Sequence, residues 1–126
     1  MKSKLIAMKP LDTEAVQEWV FPQTEDYPVR EYQYNICKQA LFHNTLVVLP
    51  TGLGKTLIAS VVMYNFYKWY PSSLIVFCAP TRPLVTQQVD ACYKIMGIPR
   101  SQTILLDGDV KPGDRESLYW NNNNIR

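Results

Sequence analysis

Two spacings of apolar residues alternate along this chain. Over residues 29–42 the helical spacing dominates, with Ile36, Cys37, Ala40 and Leu41 on one face. Tyr32 and Gln33 share that face one turn earlier. After Asn44, a plausible stop, the run Thr45-Leu46-Val47-Val48-Leu49 predicts a strand over 45–49. Helical spacing returns from Leu57 to about Trp69, turning Leu57, Ile58, Val61, Val62 and Phe66 inward and ending before Pro71. Leu74-Ile75-Val76-Phe77-Cys78-Ala79 is apolar without a break, as in a parallel-sheet strand buried on both faces. Thr81 then predicts a helix cap, with Pro83 placed early, where its missing N–H had no partner. That helix turns Leu84, Val85, Val89, Cys92, Tyr93 and Met96 inward and stops at Gly97. A third strand over 103–106 leads to the turn Asp107-Gly108-Asp109. A short helix over 114–120 precedes the polar run Asn121 to Asn124.

Strands alternating with helices predict an α/β fold of three layers, α/β/α, around a mainly parallel sheet. Residues 1–28 are less regular: Asp12 predicts a short capped helix through Val20, and Pro22 stops it. They read as an N-terminal extension ahead of a single domain over 29–126. Ile125-Arg126 reads as the first step of another strand, so the expectation is a fold cut short.

Composition changes this picture little. Apolar residues make up 47% of the 126, enough for a packed core. A net charge of +2 is too weak to argue for nucleic-acid binding from bulk electrostatics, so any such claim rests on motifs. Cys37, Cys78 and Cys92 lack metal-ligand spacing and sit in apolar segments, which predicts buried reduced thiols and a reducing compartment. His43 falls at a helix end and predicts a C-terminal capping role. The first ten residues have too short an apolar core for a secretion signal, and no run approaches the roughly twenty residues of a membrane span. A soluble intracellular protein is the expectation.

The candidate chemistry centres on Leu49-Pro50-Thr51-Gly52-Leu53-Gly54-Lys55-Thr56, between the first strand and the following helix. Strand, glycine loop and helix are the setting of a phosphate-binding P-loop. Gly52 and Gly54 permit a tight turn that points N–H groups inward, and the helix start adds unpaired donors. Lys55 can reach the β- and γ-phosphates, and the Thr56 hydroxyl can hold Mg²⁺. Gln33, about twenty residues earlier, carries an amide able to pair with an adenine edge, or is simply a polar residue on an amphipathic helix. Thr81 and Arg82, at a helix start after a strand, have the chemistry of backbone phosphate contacts, or of an ordinary capped helix.

Together these residues resemble the superfamily 2 helicases, whose local form is Pro-Thr-Gly-x-Gly-Lys-Thr; the general P-loop glycine is replaced here by Leu49. NTLVVLPTGLGKT, VVMYNFYKWYP and APTRPLVTQQVDACYKIMGIP are similar, more closely, to the Fanconi anaemia group M and Hef group of that superfamily. The resemblance covers about residues 19–100. It implies a RecA-like ATPase fold and an ATP-dependent DNA translocase that remodels branched DNA in the nucleus, with ATP and Mg²⁺ as cofactors. It implies that Gln33 reads adenine, with Phe21 stacking on it. Thr51, Gly52, Leu53, Gly54, Lys55 and Thr56 would hold the phosphates and Mg²⁺, and Thr81 and Arg82 would touch the DNA backbone. Protein partners in a DNA-repair complex follow from the resemblance alone.

Two departures qualify this. The family carries Thr-Gly after the third strand, and here the place reads Asp107-Gly108, a carboxylate that repels phosphate. No Asp-Glu-Ala-His box, Ser-Ala-Thr-type motif or second RecA-like domain occurs in the sequence. Phosphoryl transfer depends on such positioning and charge, so the chain by itself is expected to be inactive. It is also expected to fold poorly, because the RecA-like P-loop strand pairs with strands from later in the sequence. Three other readings compete: an RNA-directed helicase of the same superfamily, a small P-loop kinase, and a non-catalytic nucleotide-binding module. The kinase lacks support, since no acceptor-site Asp-Arg pair or Arg-rich lid follows the second strand.

Overall fold

Helices form where the helical spacing predicts them. The computed structural model describes residues 18–23 and 28–114, and these contain three α-helices: α1 (Glu31–Phe42), α2 (Lys55–Trp69) and α3 (Arg82–Met96). A single 3₁₀ turn, Arg100–Gln102, follows α3. Helix α1 starts from an extended Arg30 and has Glu31 in its first turn, where a negative charge suits the positive end of the helix. It ends at His43, which caps through its backbone: its N–H donates to the Gln39 carbonyl at 3.0 Å. Gly97 ends α3 in the left-handed conformation, φ 70°, that glycine adopts without strain.

Helix α2 lies between the other two and packs against both. The core is Cys37 from α1 with Leu57, Ile58 and Val61 from α2. Trp19, Phe21, Ile36, Val47, Leu49, Ile95 and Met96 close around it. Burying an aliphatic side chain of this size contributes about 1.5–3 kcal/mol. On α1 the predicted face is the observed one, with Gln33, Cys37 and Leu41 buried. On α2 it holds in part: Leu57, Ile58 and Val61 are buried, but Val62 and Phe66 are half-buried, while Ser60 and Asn65 are fully buried.

Asn65 is inside because its amide has backbone to bond. Its Nδ2 donates to the Val20 carbonyl at 2.9 Å and to the Val61 carbonyl at 2.8 Å. Its Oδ1 accepts from the Val20 N–H at 2.7 Å. The segment 18–23 is thereby clamped along α2. Trp19 and Phe21 from that segment meet Tyr34 of α1, with ring centroids 4.8 and 5.7 Å from it.

The predicted sheet is not there among the described residues. Segments 45–49, 74–79 and 103–106 carry neither helix nor strand ladder. A helix satisfies its backbone within itself, whereas a strand acquires its hydrogen bonds only from a neighbour. The first segment nevertheless keeps the two-residue alternation of a strand: Val47 and Leu49 pack on the core while Leu46 and Val48 are 89% and 81% exposed. Segment 74–79, expected to be buried on both faces, leaves Leu74, Val76 and Phe77 exposed. Together with segment 103–106 and helices α2 and α3, it lines a cavity of about 320 Å³.

Further expectations are corrected. Cys78 is exposed rather than buried, because it sits on that uncovered segment. Thr81 holds the cap position of α3, but its side chain makes no capping bond. Leu84 and Tyr93 of α3 face outward, Tyr93 beneath the Arg100 guanidinium at 5.0 Å from the ring centroid. Residues 112–114 are helical, so the short helix expected over 114–120 begins two residues early, and 115–120 lie outside the described residues. The expected helix from Asp12 falls outside them through residue 17, and the run Asn121 to Asn124 lies wholly outside. No helix among the described residues is long and apolar enough to cross a membrane.

Candidate functional site

The loop 50–54 turns through two left-handed glycines into the first turn of α2. Gly52 and Gly54 both have φ 84°, a conformation that costs an L-residue about 1–2 kcal/mol. Between them the Leu53 N–H closes back on the Pro50 carbonyl at 3.4 Å. Gly54 is the N-cap residue of α2, and its carbonyl accepts the first helical bond, from the Ile58 N–H at 3.3 Å. The first-turn N–H groups that follow have no partner within the helix, by helix geometry. Gly54 brings no cap side chain to compete for them. Thr51, Gly52 and Lys55 are exposed and Thr56 is half-buried. This arrangement offers inward N–H donors, a helix N-terminus and a cation to one anion.

Helix α1 supports the loop from behind. Gln33 Nε2 donates to the Leu53 carbonyl at 3.3 Å, and the Tyr32 hydroxyl donates to the same carbonyl at 2.8 Å. Arg30 Nη1 in turn donates to the Tyr32 hydroxyl at 3.3 Å. Gln33 is only 4% exposed, so its amide touches the loop rather than open solvent. The sequence marked Gln33 as a candidate and overlooked Tyr32, although the two are neighbours on one helical face. Thr56 is tied to the interior by its own carbonyl, which accepts from Ser60 Oγ at 2.7 Å. Ser60 Oγ also lies 3.1 Å from Cys92 Sγ, joining α2 to α3. Burial pushes the Cys92 thiol upward, an effect the Ser60 hydroxyl opposes.

Phe21 stands in the aromatic group with Trp19 and Tyr34 against the core. Thr81 and Arg82 sit at the start of α3, as their spacing predicts. Arg82 is already engaged there: Nε lies 3.6 Å from Asp107 Oδ2, and Nη2 pairs with Asp109 Oδ1. The Asp109 hydrogen bond first, and the Asp107 charge second, hold the guanidinium pKa above its usual value. The sequence showed Asp107 as a departure at this position; it gave no sign that Arg82 would be its partner.

Comparison with known proteins places this chain in a family. Residues 30–125 match the DEAD/DEAH box helicase family. The chain is 55% identical over 109 residues to the Arabidopsis thaliana protein named DEAD-box ATP-dependent RNA helicase FANCM. It is 57% identical over 113 residues to the Schizosaccharomyces pombe ATP-dependent DNA helicase fml1. It is 56% identical over 109 residues to the Pyricularia oryzae ATP-dependent DNA helicase MPH1. These alignments cover 86%, 90% and 86% of the chain but 8%, 13% and 10% of the relatives, so the chain spans about a tenth of their length. No solved structure matches it. The chain belongs to the DEAD/DEAH box helicase family, built on the RecA-like P-loop fold, and is similar there to the FANCM, fml1 and MPH1 proteins.

Proposed function

We propose that this chain is the beginning of the first RecA-like domain of an ATP-dependent DNA helicase that remodels branched DNA during repair in the nucleus. One observation carries the reading: two left-handed glycines deliver the chain into the first turn of α2 with Lys55 exposed beside them. The N–H groups of 52–56 would hold the nucleotide phosphates, with Lys55 reaching the β- and γ-phosphates. Among the described residues no three His, Cys, Asp or Glu side chains gather as metal ligands. The Thr56 hydroxyl would be this chain's ligand to Mg²⁺, beside phosphate oxygens and water, which suits a cation that dehydrates reluctantly.

Gln33, whose amide bonds the loop at the Leu53 carbonyl, reads the adenine, with Phe21 as the candidate stacking surface. Thr81 and Arg82 meet the DNA backbone. Residues 29–126 form the incomplete ATP-binding domain, and 1–28 form an extension tied to it through Val20. The mainly parallel sheet assembles when segments 45–49, 74–79 and 103–106 gain strand neighbours from the rest of the protein. Hydrolysis likewise requires residues that orient water and stabilise the transferred phosphoryl group, and this sequence has no Asp-Glu-Ala-His to do so.

The test is Lys55→Ala in the full-length protein. Losing a charge-assisted phosphate contact of about 1.5–3 kcal/mol lowers nucleotide affinity roughly tenfold or more. ATPase activity is then lost, and near-normal turnover would overturn the assignment. The relatives' names divide between DNA and RNA. Competition between forked DNA and double-stranded RNA for the same protein decides that point, with preference for RNA overturning the DNA reading.

A further inference from the structure

Arg82 reaches the start of α3 with two carboxylates already on it. Asp107 Oδ2 lies 3.6 Å from Nε, and Asp109 Oδ1 takes Nη2. The turn presenting them is ordered by its own bonds. The Asp109 N–H donates to Asp107 Oδ1 at 2.9 Å, and the Val110 N–H donates to the Asp107 carbonyl at 3.3 Å. Gly108 passes beside the guanidinium, and an added β-carbon would lie 3.8 Å from Nη2, an ordinary van der Waals contact.

Two carboxylate oxygens, one from each aspartate, face the Nε and Nη2 side of the guanidinium, the side on which an arginine takes the two free oxygens of a phosphodiester. The arrangement faces solvent: the Arg82 side chain is 51% exposed and Asp109 is 76% exposed. Ion pairs in that setting are weak, screened by salt and open to exchange with another anion. Asp107 is deeper, at 21% exposed, and anchors the turn while Asp109 forms its outer edge.

We propose that the turn 107–109 is an autoinhibitory latch that holds Arg82 as a stand-in for a nucleic-acid phosphate and yields it when a strand binds. The latch rests on the reading of Arg82 as a backbone contact, and adds that this contact is gated. Nucleic acid must displace the carboxylates as well as reach the arginine. Affinity is therefore lower than the arginine alone would give, and rises when the turn loses its charge.

The test is a mutant cycle on the full-length protein, with forked-DNA binding followed by fluorescence anisotropy across a salt series. Arg82→Ala weakens binding and lowers the salt slope by about one. Asp107→Asn with Asp109→Asn keeps the shape of the turn and tightens binding about threefold to tenfold at low salt. In the Arg82→Ala background the same pair of substitutions has no such effect. If Arg82→Ala changes neither affinity nor slope, the backbone contact fails and the latch falls with it. If Arg82→Ala weakens binding but the Asn pair leaves it unchanged, only the latch is overturned. A gain that survives in full without Arg82 also overturns it, since the gain then comes from the general field of two lost charges. Asp109→Asn alone, at the more exposed position, gives a smaller gain in the same direction and serves if the double substitution does not fold.

Discussion

Gln33 and Gly54 meet so closely that a β-carbon on Gly54 would collide with the Gln33 amide nitrogen. That nitrogen is the one donating to the Leu53 carbonyl at 3.3 Å. The loop's second glycine is therefore favoured twice, once for its left-handed backbone and once because a β-carbon there would force the Gln33 amide from its place.

This separates two glycines that look equivalent in the sequence. Gly52→Ala meets nothing within 4 Å and suffers only the backbone strain, about 1–2 kcal/mol. Gly54→Ala suffers the same strain and must also expel Gln33, so its loss in chemical denaturation exceeds that of Gly52→Ala by about 1 kcal/mol or more. Gln33→Ala combined with Gly54→Ala should recover part of the difference. Equal losses at the two glycines would show that the α1 contact does not restrain the loop.

Asn65 makes a second prediction, and it concerns the segment 18–23. Asn65→Ala leaves the Val20 N–H and carbonyl without their partner. Val20 is itself exposed, so water replaces much of the lost partner and each group costs less than the roughly 1–3 kcal/mol of a fully buried one. Hydrogen exchange at the Val20 amide should accelerate markedly in Asn65→Ala. Asn65→Asp keeps an acceptor for that N–H and should preserve much of its protection while losing the bond to the Val20 carbonyl. Unchanged exchange in Asn65→Ala would remove the clamp.

How much of this was legible in the sequence follows from how far each interaction reaches along the chain. Helix α1 was, because Gln33, Cys37 and Leu41 recur at one helical spacing and its bonds close within it. The glycine loop was, because its residues are contiguous. Asn65 was not: a polar residue in a helix reads as solvent-facing until its partner, 45 positions away, is known. The pairing of Arg82 with Asp107 was hidden for the same reason. Segments 45–49, 74–79 and 103–106 have strand composition, but composition does not supply the neighbour whose backbone completes a ladder.

The cysteines provide a third prediction. Cys78 is exposed, whereas Cys37 and Cys92 are buried. Burial pushes the Cys37 thiol from the usual 9.0 up to about 12. A thiol reagent at neutral pH should label Cys78 first, with Cys37 and Cys92 reacting only as the fold opens. Between 9.0 and about 12 the folded chain holds the Cys37 proton that the unfolded chain has released. Stability from this group is therefore complete below that window and falls as pH rises through it. Cys37→Ala should flatten the alkaline limb of a stability–pH curve, and an unaltered limb would assign the loss to other groups.

The last prediction follows from the uncovered apolar segments. Leu46, Val48, Val76 and Phe77 are exposed on stretches with no ladder. Exposed apolar backbone without strand partners is a template for pairing with another chain. Residues 1–126 expressed alone should therefore self-associate, bind ATP weakly, and show no hydrolysis stimulated by forked DNA. Leu46→Lys with Val48→Lys places charges on the outward positions only, since Val47 and Leu49 face the core. Light scattering as a function of concentration should show the double variant markedly less associated than the parent chain. Helix content by circular dichroism should be the same in both. A monomeric, cooperatively melting parent chain would show that these segments find their partners within the 126 residues.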